Sequence, residues 1–497
     1  MDNTDVFIYG AAVQGIQNFI FRTNELKDIV GASELVEQIC AQLFNGFLGK
    51  TGQPIVNAAG NIKCVFYNVE ECQKIVREFP KRVMEAAPGI TISQAVVKTT
   101  NSEFATNFSQ LMDELEQRLH IQRNKPPKSM TLGLMGMERS RKTGLPAVEV
   151  IRSGEYVDEA TLKKRELSEG GKVTVKLCEK SFGITNIRVR DIALNIEDLT
   201  DRNDWIAIIH ADGNGLGEVV RKSSKTPNGL SEFSKNLNKA TCQAANEAFK
   251  SLAESNAWQS GGIYPFRPVV LGGDDMTMIC RASLALDYVK AYIENFEKAT
   301  AERLEKGLTA CAGVAYIKSS YPFHYGYQLA EKLCSQAKKV SKSSEVNAGS
   351  SSAAPSSVMF YKVQSSFIED FDKLIEKEKT PQQGHSFNFG PYFLKDTPGY
   401  WTIEALKDCT RELATDDGNR AKTAIRKWMT HMHTDQEKAF QTQKRSTDIL
   451  TGRLKDVFKK ATIPTERNTE EMGKIKFYPA ADIIELNTIL TQTTKDY

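Results

Sequence analysis

The chain reads twice, and that repetition constrains its fold more than any other feature. In the second half an apolar run, Trp205-Ile206-Ala207-Ile208-Ile209-His210-Ala211, has the character of a buried strand. It empties into a glycine-rich turn, Asp212-Gly213-Asn214-Gly215-Leu216-Gly217. Helical sequence over 230–253, a hairpin over 269–280, a helix over 285–306, a strand over 307–315 and a helix over 325–339 follow. The first half repeats the series, with a strand and turn over 6–17 and a helix over 25–47. A hairpin over 55–66, a helix over 70–87 and a strand over 89–97 complete it. Gly15 and Gly215 recur at matching places, as do the strand starts Gly89-Ile90-Thr91 and Gly307-Leu308-Thr309. A β-α-α-β-β-α-β order is that of a ferredoxin-like sheet with helices on one face. The expected class is therefore α+β with two ferredoxin-like units.

The two copies differ in their chemistry. The second hairpin carries Gly272-Gly273-Asp274-Asp275 at its tip, between apolar runs. Glycine has no Cβ, so the backbone there turns sharply and approaches a ligand closely. Two adjacent carboxylates suit a hard divalent cation, which takes oxygen ligands. A third acid, Asp212, ends the apolar strand, where it can share metal with the hairpin acids. Either motif alone reads equally as an ordinary turn; both, in this order, point to metal-assisted phosphoryl transfer. Superposing the copies puts Ala12 opposite Asp212, Gly60 opposite Asp274 and Asn61 opposite Asp275. One copy is degenerate, and a single metal centre is expected.

Five segments are expected: a degenerate first unit (1–105), a middle helical and linker region (106–200) and the GGDD-bearing unit (201–342). A flexible Ser/Ala-rich loop (343–357) and a helical C-terminal domain (358–497) complete the chain. In the middle region Leu111, Leu115 and Leu119 give an apolar stripe to a helix over 107–123, which Pro126-Pro127 ends. Lys+Arg 65 against Asp+Glu 62 leaves a net charge of +3, which does not by itself announce nucleic acid. Local basic stretches over 125–142, 163–190 and 420–460 count only weakly towards an RNA partner, since a charged helix face is usually just solvated. The nine cysteines are scattered without a CxxC pair, which fits reduced thiols and excludes a zinc ribbon. His431 and His433 lie two apart and so diverge on a helix, while His210 is expected to pack at its turn. No basic leader and no apolar run of membrane-spanning length is present, so a cytoplasmic location is expected.

Taken together, the GGDD hairpin, the Ala211-to-Gly217 turn, Val13-Gln14-Gly15-Ile16-Gln17-Asn18-Phe19-Ile20-Phe21, Val30-Gly31-Ala32-Ser33 and Tyr321-Pro322 resemble one family. It is the palm-domain large subunit of type III CRISPR complexes, whose palm is related to that of GGDEF cyclases. The resemblance implies two palm domains, one degenerate and one GGDD-bearing, and a nucleotidyltransferase in antiviral defence that condenses ATP into cyclic oligoadenylate with release of pyrophosphate. It assigns Asp212, Asp274 and Asp275 to catalysis and to two Mg²⁺ or Mn²⁺ ions. Gly213, Asn214, Gly215, Leu216, Gly217, Gly272, Gly273 and Lys338 are assigned to the nucleotide. Guide-RNA ribonucleoprotein subunits and target RNA are the implied partners. Many members of the family carry an HD nuclease domain and a zinc-binding cysteine cluster. Here the chain starts at the first palm and residues 130–166 hold no cysteine, so neither nuclease activity nor zinc is expected. Two other readings stay open: a standalone enzyme making a cyclic dinucleotide or nucleotide conjugate, and a non-catalytic scaffold subunit.

Overall fold

The computed structural model describes residues 4–490 apart from 24, 59, 126–133, 152, 169–171, 201–203, 224, 256–261, 348–353, 365–370 and 470–472. The first unit comprises β1 (Asp5–Gln14), α1 (Ile16–Ile20), α2 (Leu26–Gln38), β2 (Gln53–Ala58), β3 (Asn61–Phe66), α3 (Val69–Ala86) and β4 (Thr91–Thr100). Its antiparallel sheet has the order β2-β3-β1-β4. Local signals set the helix starts. The Asn68 side chain accepts from the amides of Glu70 and Glu71, which also place negative charge in the first turn of α3. Next come α4 (Asn101–Thr106), α5 (Phe108–Arg123), a hairpin of β5 (Ala147–Val150) and β6 (Tyr156–Asp158), then α6 (Glu159–Ser168) and α7 (Lys172–Phe182).

The second unit comprises β7 (Trp205–Asn214), α8 (Leu216–Ser223), α9 (Pro227–Glu254), β8 (Phe266–Gly272), β9 (Asp275–Arg281), α10 (Ala285–Arg303), β10 (Thr309–Lys318) and α11 (Phe323–Ser341). After α12 (Ser344–Asn347) the chain enters β11 (Ser357–Lys362). The order β8-β9-β7-β10 copies the first sheet, and β11 then extends it in parallel with β10. The registers agree as well. The pair Gln14–Thr91 of β1 and β4 has its counterpart in Asn214–Thr309 of β7 and β10. Ala58–Asn61 at the tip of the first hairpin corresponds to Gly272–Asp275 at the tip of the second. Each hairpin is even bulged at the same place, between Pro54 and Val56 and between Pro268 and Val270. Proline cannot donate to a ladder, so it is tolerated at such a bulge on an edge strand.

The C-terminal region holds α13 (Phe371–Lys379), β12 (His385–Ser386), β13 (Tyr392–Phe393), α14 (Ile403–Leu413), α15 (Gly418–Thr434), α16 (Gln436–Ile449) and α17 (Gly452–Thr462). It ends with β14 (Thr465–Thr469), β15 (Gly473–Phe477) and α18 (Ala480–Leu490). It is helical, as expected, with a small sheet β12-β15-β14 that composition did not announce.

Four sequence expectations change. The segment Asp212-Gly213-Asn214 is strand rather than turn, paired with Cys311, Ala310 and Thr309; only Gly215, at φ 78°, turns the chain. Helices cover both faces of the second sheet, not one. Ala207, Ile209 and Met278 pack in one core with α9 and α10, while Ile206, Ile208 and Ile279 share another with α2 and α11. Helix α5, read from sequence as part of the middle region, lies on the open face of the first sheet, where Leu115 joins Ile8 and Val97. The tract over 343–357 is not wholly a loop: Ser356 and Ser357 are buried, and Ser357 begins β11. The stretch 348–353 lies outside the described residues. Among the described residues, no helix is long and apolar enough to cross a membrane.

Candidate functional site

The last residues of β7 and the tip of the β8–β9 hairpin bring three carboxylates together. One oxygen from each of Asp212, Asp274 and Asp275 lies within 4.8 Å of the others. Backbone geometry makes this possible. Gly273 adopts φ 63°, a region a side chain disfavours, so Asp274 and Asp275 follow it in ordinary conformations. Gly213 leaves the room that Asp274 needs, because a Cβ there would lie 3.0 Å from Asp274 Cβ. Thr241 of α9 donates its hydroxyl to the Gly273 carbonyl at 2.6 Å and holds the turn.

The cluster is electrostatically loaded. Two unit charges about 4 Å apart repel by roughly 4 kcal/mol at an effective dielectric near 20. Burial, reinforced by Asp275 and Asp212, pushes the Asp274 carboxyl up to about 8. Burial, with the charge of Asp212, pushes Asp275 up to about 7, against the opposing pull of Lys338. One cation answers this charge. Lys338 of α11 pairs with Asp212 and donates to the Gly213 carbonyl at 2.9 Å. It reaches them because α11 lies tightly on β10: a Cβ on Gly313 would fall 2.0 Å from the Ala330 carbonyl oxygen. A half-buried, oxygen-only donor set with raised carboxyl pKa values fits a hard divalent cation, whose charge would relieve the repulsion.

The other residues singled out from sequence divide. Gly272 pairs with Asp275 at the hairpin tip, and Gly215, Leu216 and Gly217 form the amino-terminal end of α8 directly after β7. Asn214 does not face outward. It has no exposed surface, and its amide donates to Thr309 Oγ1 and Cys311 Sγ, so its side chain is closed to a ligand. His210 is a packed imidazole, with Nδ1 3.2 Å from Thr277 Oγ1, and burial lowers its pKa.

Sequence reasoning missed the face of α11 that overlooks the acids. Glu331, two turns before Lys338, acts electrostatically on Asp275 and accepts from Gln17 of α1 at 2.7 Å. One turn earlier still, Tyr327 stacks on Phe21 with centroids 3.7 Å apart. The i, i+4, i+11 spacing of Tyr327, Glu331 and Lys338, which keeps them on one helix face, was the signal that would have found them.

Comparison with known proteins bears on the same region. Residues 205–346 match the family model for the second palm domain of Cas10/Cmr2. A search of curated proteins by sequence finds no match. Among solved structures, the chain is similar to the Csm1-Csm4 cassette in complex with AMPPNP (TM-score 0.56, 14% identity, 99% of this chain and 70% of that one). It is also similar to the cassette in complex with cA3 (TM-score 0.60, 13% identity, 99% and 70%). The Csm1-Csm4 subcomplex of the type III-A CRISPR-Csm interference complex matches as well (TM-score 0.52, 13% identity, 98% and 70%). At such identities the likeness speaks for the fold. Residues 205–346 thus match a Cas10/Cmr2 second palm, in a chain whose overall fold is similar to that seen in the Csm1-Csm4 structures.

Proposed function

We propose that the second palm condenses ATP into cyclic oligoadenylate with release of pyrophosphate, as the large subunit of a guide-RNA ribonucleoprotein in antiviral defence. The convergence of Asp212, Asp274 and Asp275 at the end of β7 and the hairpin tip carries this reading. Support comes from similar folds solved in complex with AMPPNP and with cA3. Asp212, Asp274 and Asp275 would hold two Mg²⁺ or Mn²⁺ ions. When bound, such ions activate the attacking hydroxyl and neutralise charge on the α-phosphate. The bond from the hydroxyl oxygen to the α-phosphorus forms as the bond to the pyrophosphate oxygen breaks.

The chain's own groups do the positioning. The backbone amides at the start of α8, over Gly215, Leu216 and Gly217, offer N–H groups to the triphosphate. Lys338 supplies positive charge beside Asp212 and steadies the end of β7 through the Gly213 carbonyl. Gly213, Gly272 and Gly273 keep side chains away from the place where phosphate must approach. The first palm, with Gly60 and Asn61 where the second has its acids, would take the acceptor nucleotide. Holding both substrates on one chain supplies the proximity that a single palm would need a homodimer to provide.

The test is to incubate the purified protein with each NTP and Mg²⁺ or Mn²⁺, with and without target RNA, and resolve products by mass. A cyclic adenylate of defined length supports the reading. A dinucleotide or mixed conjugate made without RNA favours a standalone cyclase, and undiminished ATP turnover by Asp275→Asn contradicts the site.

A further inference from the structure

The acid hairpin hangs on an edge strand. β8 is the last strand of its sheet, so alternate carbonyls along it point away from β9. Buried edge carbonyls need donors, because an unmet polar group costs free energy. Two outward carbonyls of β8, and that of Gly273 in the turn beyond it, are each met by one side chain. Ser33 Oγ donates to Val269 O at 2.6 Å, Lys180 Nζ to Leu271 O at 2.8 Å and Thr241 Oγ1 to Gly273 O at 2.6 Å. These donors come from three places: α2 of the first palm, α7 of the middle segment and α9 of the second palm.

We propose that Lys180 is a positioning residue for the metal site, and that through it and Ser33 the placement of Asp274 and Asp275 depends on the middle segment and the first palm. The inference rests on the proposed metal site. The Ala211–Met276 pair ties the start of β9 to β7, but beyond it two consecutive glycines leave the hairpin tip loose, so its placement leans on contacts from outside the turn. Leu271 is the last residue before Gly272, which makes its carbonyl the nearest ordinary anchor to the acids. A charged donor holds a carbonyl more strongly than a neutral one does. Lys180 is half-buried against β8, close enough to Cys242 of α9 to act on its thiol. A displacement of α7, or of α2 through Ser33, therefore moves the hairpin.

The experiment is a Mn²⁺ titration followed by electron paramagnetic resonance, with hydrogen exchange at the Gly272–Met276 amides. It compares wild type, Lys180→Met, Lys180→Arg, Ser33→Ala and, as a control on the exposed face of α7, Lys176→Met. Lys180→Met is expected to weaken Mn²⁺ binding about tenfold and speed hairpin exchange, with Lys180→Arg recovering most of both. Ser33→Ala, a milder change that spares the fold, is expected to weaken binding about threefold. Mn²⁺ binding unchanged in Lys180→Met and Ser33→Ala overturns the proposal, as does an equal loss in Lys176→Met. A wild type that binds Mn²⁺ but makes no oligoadenylate sinks the functional reading and leaves the clamp to be judged by the titration. A wild type that binds no Mn²⁺ sinks both.

Discussion

The two palms share strand order, register and even the bulge at Pro54 and Pro268, yet only one presents acids. The contrast rests on a few positions around one turn. Where the second palm pairs small Gly213 with Asp274, the first pairs Val13 with Gly60. Only the second palm is tight across this pair: a Cβ on Gly213 would lie 3.0 Å from Asp274 Cβ, whereas one on Gly60 would sit at an ordinary 3.6 Å from Val13 Cβ and meet Ile16 Cδ1 at 2.6 Å instead. Gly60, the counterpart of Asp274, is left-handed at φ 77°, whereas in the second palm Gly273 takes that conformation at φ 63° and Asp274 does not. A carboxylate at the Asp274 position therefore requires glycine one residue earlier in the turn and glycine across from it. The chemistry changed while the scaffold stayed.

The largest expected effect is Asp275→Asn, which makes the second palm resemble Asn61 of the first. Product formation, read by mass, should fall by at least about a thousandfold. The metal-free protein should lose no thermal stability, because a charge that repels its neighbours is removed. Gly213→Val, copying Val13, should be nearly as damaging, since its Cβ displaces Asp274; weakened Mn²⁺ binding with secondary structure intact is the diagnostic result. Lys338→Met should lower turnover about ten- to a hundredfold, judged by initial rates across a metal titration.

A pH experiment separates the palms by stability. Folded-state pKa values of about 8 for Asp274 and about 7 for Asp275 lie above the ordinary aspartate value. Between that value and about 8 the folded protein binds more protons than the unfolded chain, so stability falls as pH rises through this window. Thermal melts in chelator should therefore show a midpoint declining towards pH 8, with a shallower decline in Asp275→Asn. The smallest effect belongs to the silent turn. Gly60→Ala forces a side chain into positive φ and should cost about 1 kcal/mol of stability with Mn²⁺ binding unchanged, as denaturant melts and a metal titration would reveal.

Much of this was legible in the residues. Alternation of apolar runs with helical periods announced both units, and self-comparison set Ala12, Gly60 and Asn61 against the acids in the register the strands adopt. What stayed hidden was set by neighbours rather than by local sequence. A strand buried on both faces has no period, so the end of β7 is decided by how far β10 runs beside it, not by the glycines at 213 and 215. Asn214 reads as a polar turn residue, but the same pairing buries it against Cys311. Ser356 and Ser357 read as linker because they are small; they are small because β11 is packed closely, with Ser341 Oγ 2.8 Å from Ser357 Oγ. The edge clamp on β8 joins residues more than 200 apart in the case of Ser33 and Val269, a distance no local pattern spans.

The most direct test of a single live palm is product formation from ATP and Mn²⁺ by wild type, Asp275→Asn and Asn61→Ala, assayed side by side by mass spectrometry. Wild type should give cyclic adenylate, Asp275→Asn none, and Asn61→Ala product with unchanged metal dependence. Turnover that survives in Asp275→Asn, or a metal requirement that moves with Asn61, would contradict a single live palm.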